Sequence, residues 1–343
     1  MLIAYILAGI FATLVCVFGP AVGRRLQVMD LPDGHRKLHV APTPLVAGFA
    51  VMVPPIALVL VQAQVSVWRP LYLALALVSA FFVILGYLDD RRHIRALVRL
   101  AISAVAVGAV IWMVPGLAVT VLSFSFDDSV PPIILGPWVG LLFSVLCLVG
   151  LQNAANMADG KNGLVIGISL IWTLLMFAYA PDHIHPLLTV LTITLAVSLV
   201  FNLSGKVFLG DAGTYGLSVI LGLVALYSYN VGFATFPGDA VALMFLIPIV
   251  DTLRIIVARG AKGRSPFAPD RDHLHHILLL LMPWHWALTI YLTLVGVPSL
   301  IARYNVEWMG GLAVATLTVY ALIVGQKYRT VGVPAPGSGP APS

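Results

Sequence analysis

Apolar residues in this chain come in long unbroken runs, separated by short segments that gather most of its charges and prolines. A helix that crosses a bilayer needs about 20 mostly apolar residues. Eleven stretches fit, at roughly 2–23, 44–64, 70–88, 97–115, 133–151, 163–180, 184–203, 213–230, 239–259, 284–304 and 307–325. Only a Pro-Asp-His-Ile-His hinge divides 163–180 from 184–203, and merging that pair would leave ten. The pattern predicts an all-α, polytopic transmembrane bundle of about eleven spans, forming one domain over residues 1–329. The Pro/Gly-rich tail, 330–343, is expected to be disordered. No basic segment precedes the first run, so an uncleaved span is expected there rather than a signal peptide.

Composition strengthens this reading. Hydrophobic residues make up 60% and charged residues 10% of the chain, against about 25% charged in a soluble domain. Mean hydropathy is +1.00. The net charge of +5 could suggest nucleic acid, but its distribution argues for topology. With the N-terminus outside, every Lys and Arg except Arg69 and Arg303 falls on the cytoplasmic side. Such asymmetry orients a membrane protein and puts the C-terminus in the cytoplasm. No nucleic-acid partner is expected; anionic lipid or substrate is a secondary use of the basic residues. Cys16 and Cys147 sit inside apolar runs, as small buried hydrophobes.

The acids carry more information. Asp127, Asp128, Asp182, Asp239 and Glu307 fall in outer loops, where water solvates them. The rest fall at cytoplasmic helix ends or in the loops 24–43, 89–96, 152–162, 204–212 and 260–283. Charge beside an apolar run is costly and marks a functional site by default. Asp89 and Asp90 close the third span; adjacent carboxylates repel, so a divalent cation, a base role, or Arg91 and Arg92 should answer them. Asn153 and Asn156 share a helix face, Asp159 follows, and Gly160 and Gly163 break the helix. That row suits a phosphate or metal site, or a plain helix end. Gly210-Asp211-Ala212-Gly213-Thr214 offers a close backbone approach and a hard oxygen ligand, or a capped turn. Arg264, Arg271, His273, His275 and His276 share the longest inner loop. The three His do not face one way on a helix, which disfavours zinc and favours oxyanion binding. Lys37, with His35, Arg36 and His39, is a further candidate anion contact.

Carboxylates for a divalent cation, glycine turns and cationic groups on one face equip a protein for phosphoryl transfer, which rests on positioning and charge neutralisation. No P-loop motif is present. Taken in order across residues 24–280, these motifs resemble the polyprenyl-phosphate N-acetylhexosamine-1-phosphate transferases, glycosyltransferase family 4. The Asp-Arg-Asp-His-Leu-His-His form resembles the N-acetylglucosamine branch more than the muramoyl-pentapeptide branch.

The resemblance implies a bacterial inner-membrane enzyme with its site on the cytoplasmic face. It would move a sugar 1-phosphate from a UDP-N-acetylhexosamine to undecaprenyl phosphate, with Mg²⁺ (or Mn²⁺ in its place), and start a cell-envelope polysaccharide such as O-antigen. It implies Asp89 as the base toward the lipid phosphate, Asp90 as its support and Asp211 as the metal ligand. Asn153, Asn156 and Asp159 would line the nucleotide-sugar site. Lys37 would hold phosphate, and Arg271 with His273, His275 and His276 would grip the diphosphate and sugar, with Arg264 a further phosphate contact. Relatives of this kind can pair through lipid-facing helices. Two departures stand out: Ala47-Gly48 where the family tends to Gly-Gly, and Asn162 where many relatives carry Asp. A secondary transporter using intramembrane acids is the alternative, but such acids should lie near the midplane on broken helices.

Overall fold

A computed structural model of the chain describes residues 1–32, 41–125, 131–232, 234–266 and 271–330. Lys37 and the tail beyond residue 330 lie outside the described residues. In chain order the helices are α1 (Leu2–Val17), α2 (Gly19–Leu26), α3 (Ala47–Val65), α4 (Arg69–Arg92), α5 (Ala96–Met113), α6 (Gly136–Ala158) and α7 (Leu164–Met176). They continue as α8 (His185–Leu203), α9 (Gly210–Gly232), α10 (Gly238–Ala261), α11 (Leu274–Leu281), α12 (Trp284–Tyr304) and α13 (Met309–Thr330). Two small antiparallel ladders pair Met29–Asp30 with Thr43–Pro44 and Val121–Leu122 with Ile133–Ile134.

The fold is an all-α polytopic membrane bundle. Among the described residues nine helices are each long and apolar enough to cross a bilayer. Each of the eleven apolar runs coincides with helix. The first run is broken: α1 and α2 meet at an angle of 76°. The sixth, α7, has only 13 residues. Proline starts several helices, at Pro70, Pro137 and Pro186, where a missing N–H costs nothing.

Exposed Leu and Val on α5, α6, α10 and α13 would be a liability in water and are ordinary against lipid. Trp68, Trp112, Trp138, Tyr304 and Trp308 are exposed at one end of the bundle, with Trp112 and Trp138 stacked at 5.3 Å. Trp284 and Trp286 begin α12 at the other end. Amphipathic rings at both ends mark the two membrane–water interfaces.

The centre is α9, buried continuously from Ala212 to Tyr229. It packs against α3, α4, α6, α7 and α10. Three backbones meet at its N-terminus. A methyl at Gly48 would overlap the backbone of Gly213, and one at Gly86 would overlap the carbonyl of Asp211. The amides of Ala47 and Gly48 donate to the carbonyls of Phe208 and Leu209, each at 3.1 Å, strapping the segment before α9 to the start of α3. Ala47 is completely buried and its methyl is accommodated, so only the second glycine of that pair is sterically required.

These contacts set a test. Gly86→Ala should destabilise the protein by about 1–3 kcal/mol, as overpacking does. Gly150→Ala meets nothing within 4 Å and should be neutral or slightly stabilising. Thermal unfolding in detergent compares the two; equal midpoints would contradict the packing described.

Candidate active site

The acidic motifs converge where α4 and α6 end and α9 begins. Successive residues of a helix point about 100° apart, and Asp89 and Asp90 use that divergence. Asp89 is buried. Its Oδ1 accepts the Ile94 N–H at 2.6 Å; its Oδ2 accepts the Tyr215 hydroxyl at 2.6 Å and Arg99 Nη1 at 3.0 Å. His93, left-handed at φ 51°, ends α4 and turns the chain into α5, which brings Arg99 back over the carboxylate. Asp90 is half-buried. Its Oδ1 accepts the Asp211 N–H at 3.0 Å and its Oδ2 the Ala212 N–H at 3.2 Å. Its carboxyl group caps the N-terminal amides of α9. The partner of the acidic pair is therefore Arg99, not its sequence neighbours. Arg91 instead donates to the Tyr87 hydroxyl at 3.1 Å and to Gln27.

Asp159 follows α6 and accepts the Thr214 hydroxyl at 3.3 Å. Solvent reaches it, yet protein surrounds it, so it stands at the floor of a recess. That crowding, with the negative charge of Asp211 next in weight, pushes its carboxyl up to about 7. Asn153 and Asn156 are half-buried on the approach, and the Asn153 amide donates to the Val149 carbonyl at 2.7 Å. The turn beyond is braced from two sides. Asn202 accepts the Gly163 N–H at 2.6 Å and donates to the Val207 carbonyl at 2.8 Å. Trp284 Nε1 donates to the Asn162 carbonyl at 2.9 Å. Gly163 has φ 85° and Gly210 φ 70°, where a side chain would strain the backbone.

The histidine segment is built from α10 and α13. Asp251 accepts His273 Nδ1 at 2.9 Å, the Leu274 N–H at 3.1 Å, Arg254 at 2.9 Å and the Tyr320 hydroxyl at 2.9 Å. Lys327 pairs with Asp272. The His273 and His275 rings stack at 5.6 Å, and His275 and His276 lie 4.2 Å apart. His275 is buried with neither ring nitrogen hydrogen-bonded, and a side chain at Gly160 would collide with it. Burial, followed by the neighbouring His276 and His273, pulls its pKa down to about 3, so it is neutral. Arg264 and Arg271 are exposed at the two edges of this loop.

Asp89, Asp90, Asp159 and Asp211 act on one another electrostatically, and Arg99 is committed to Asp89. Among the described residues no three acids or histidines converge at coordinating distance. Mg²⁺ does not need them to, since it usually takes one or two carboxylates and completes its shell with water and substrate phosphates. Half-buried Asp211 and Asp90, beside accessible Asp159, fit such an ion.

The structure thus gathers Asp89, Asp90, Asp159, Asp211 and, through Gly160, His275. It also adds groups that the motifs did not single out: Arg99, Tyr215, Asn202, Asp251 and Tyr320. Tyr215 lies one turn after Asp211 and, being fully buried, needs a hydrogen-bond partner.

Residues 72–229 match the profile of glycosyl transferase family 4. The chain is 31% identical over 291 residues to an undecaprenyl-phosphate alpha-N-acetylglucosaminyl 1-phosphate transferase of Escherichia coli strain K12, an alignment covering 79% of this chain and 74% of that protein. It is 27% identical to a decaprenyl-phosphate N-acetylglucosaminephosphotransferase of Mycolicibacterium smegmatis, covering 95% and 85%. It is 25% identical to a probable undecaprenyl-phosphate N-acetylglucosaminyl 1-phosphate transferase of Bacillus subtilis, covering 95% and 91%. The chain belongs to glycosyl transferase family 4. It is a membrane phosphotransferase, on the N-acetylglucosamine branch of that family rather than the muramoyl-pentapeptide branch.

The raised Asp159 carboxyl gives a signed prediction. Its folded-state pKa lies above the unfolded value, so its ionisation opposes folding, increasingly as pH rises from about 4 to 7. Asp159→Asn should therefore raise the melting temperature of metal-free protein at pH 8, and the gain should shrink toward pH 5. A gain that grew on acidification would contradict this environment.

Proposed function

We propose that this chain transfers N-acetylglucosamine 1-phosphate from its UDP-sugar to a polyprenyl phosphate, most simply undecaprenyl phosphate, and releases UMP. One oxygen of the lipid phosphate attacks the sugar-bound phosphorus of the donor. The bond to UMP breaks as the new diphosphate bond forms, so one diphosphate linkage replaces another. The observation that carries this reading is the cluster of carboxylates at the start of α9, where Asp90, Asp159 and Asp211 meet around glycine-lined backbone. Two anions must approach there, and Mg²⁺, or Mn²⁺ in its place, would supply the neutralising charge when bound. Asp211 would hold it, with Asp90 or Asp159 beside it.

Asn153 and Asn156 would contact the nucleotide-sugar. Lys37, Arg264, Arg271, His273, His275 and His276 would bind phosphate and sugar oxygens. The positive-inside pattern supports an outside N-terminus, a cytoplasmic C-terminus and a site on the cytoplasmic face of a bacterial inner membrane. The product would start a cell-envelope polysaccharide, and two copies of the chain would have lipid-facing helices through which to pair. Acids grouped at helix ends, rather than at the midplane, disfavour a transporter.

Purified protein in detergent, given undecaprenyl phosphate, Mg²⁺ and a panel of UDP-N-acetylhexosamines, should form lipid-linked product and UMP, fastest with UDP-GlcNAc. No product from any donor would sink the reading. Asp211→Asn should stay folded and lose activity by about 10²-fold or more, the scale on which removing a transition-state electrostatic contact acts. Near-normal turnover would remove Asp211 as the metal ligand.

A further inference from the structure

We propose that Asp89 is a positioning residue: with Arg99 and Tyr215 it forms a buried triad that fixes the rotation of α9 and so aims the Asp211 carboxylate. The proposal rests on Asp211 being the cation ligand of the transferase site.

The geometry runs through one side chain. Tyr215 is fully buried, and it follows Asp211 by four residues, about one helical turn. The two side chains therefore leave α9 on the same face, and holding one holds the other. The Tyr215 hydroxyl donates to Asp89 at 2.6 Å. The Arg99 guanidinium bonds the same carboxylate oxygen at 3.0 Å and lies 5.5 Å from the centre of the Tyr215 ring. Tyr215 is thus held at its hydroxyl by Asp89 and on its ring face by Arg99. One residue along α4, Asp90 caps the amides of Asp211 and Ala212. One turn back, Gly86 lies against the Asp211 carbonyl. Within a little more than one turn, α4 fixes the translation of α9 through Gly86 and Asp90 and its rotation through Asp89.

The same contacts make Asp89 a poor proton acceptor. A base needs a lone pair that the substrate can reach. Asp89 is 4% exposed, and three donors already occupy its two oxygens. The reaction asks little of a base in any case. A phosphate monoester has its second pKa near 6, so most lipid phosphate arrives ionised at neutral pH. Asp89, tied to Arg99 and Tyr215, is a structural group, and the accessible carboxylates nearby are left for chemistry.

Mn²⁺ binding tests the triad without turnover. Full-length protein in detergent is titrated with Mn²⁺ and free ion is followed by electron paramagnetic resonance. In parallel, kcat and the half-saturating Mg²⁺ are measured with UDP-GlcNAc. Tyr215→Phe, which removes only the hydroxyl, should weaken Mn²⁺ binding and raise the Mg²⁺ requirement about tenfold, with donor KM little changed, as expected for one hydrogen bond to a charged group. Asp89→Asn should show the same defect. The two changes should combine less than additively, because they share the Tyr215–Asp89 bond. Arg99→Lys should recover most of the Mn²⁺ affinity lost in Arg99→Ala. If Tyr215→Phe does not fold, as judged by its melting curve, the Arg99 pair decides alone.

Mn²⁺ affinity within twofold of wild type in both Tyr215→Phe and Asp89→Asn would overturn the triad, and loss of turnover in such an Asp89→Asn would restore it as the base. Unchanged Mn²⁺ binding in Asp211→Asn would also overturn the proposal. A wild type that binds Mn²⁺ but transfers no sugar phosphate would defeat the transferase reading alone, with the triad still upheld by the Tyr215→Phe shift.

Discussion

Everything in the site depends on three backbones touching at the start of α9. Between helices in lipid there is little hydrophobic drive, so association rests on close packing and hydrogen bonds. Gly48 and Gly86 let α3 and α4 reach the α9 backbone itself. That approach is what allows a carboxylate on α4 to cap amides on α9. With longer side chains between them, the helices would stand apart and the acids would face lipid or one another.

Close packing then meets electrostatics. Several carboxylates share a region of low polarity, and each is handled differently. Asp89 has a guanidinium and a phenol. Asp90 has the amides of a helix end, and Asp251 has donors from α10, α11 and α13. Asp159 faces the recess with one long contact from Thr214 and holds its proton to about pH 7. His275 stays neutral nearby and adds no charge of its own. The accessible carboxyl of Asp159 is thereby the least satisfied acid of the group.

The helices were legible because apolar runs of that length have few other uses. The acids were legible because a charge at an apolar helix end is expensive. Partners were harder. The Asp89–Asp90 pair suggested local relief by Arg91 and Arg92, but a helix aims neighbours apart and the answering cation sits on the next helix, at Arg99. Tyr215 and Asp89 are 126 positions apart, and Tyr320 and Asp251 are 69 apart. No periodicity links such residues; only the packing of α9 and α13 does. The departure at Asn162 leaves one contact of that position untouched. What Trp284 contacts there is the backbone carbonyl, which Asn and Asp present alike.

The Asp251 hub has a consequence for how the molecule comes together. The acidic recess draws on residues up to α9, but the histidine segment is tied down by Tyr320 and Lys327, near the end of α13. A chain still being synthesised can therefore assemble its acidic half early, while its histidines stay unanchored until the last helix is in place.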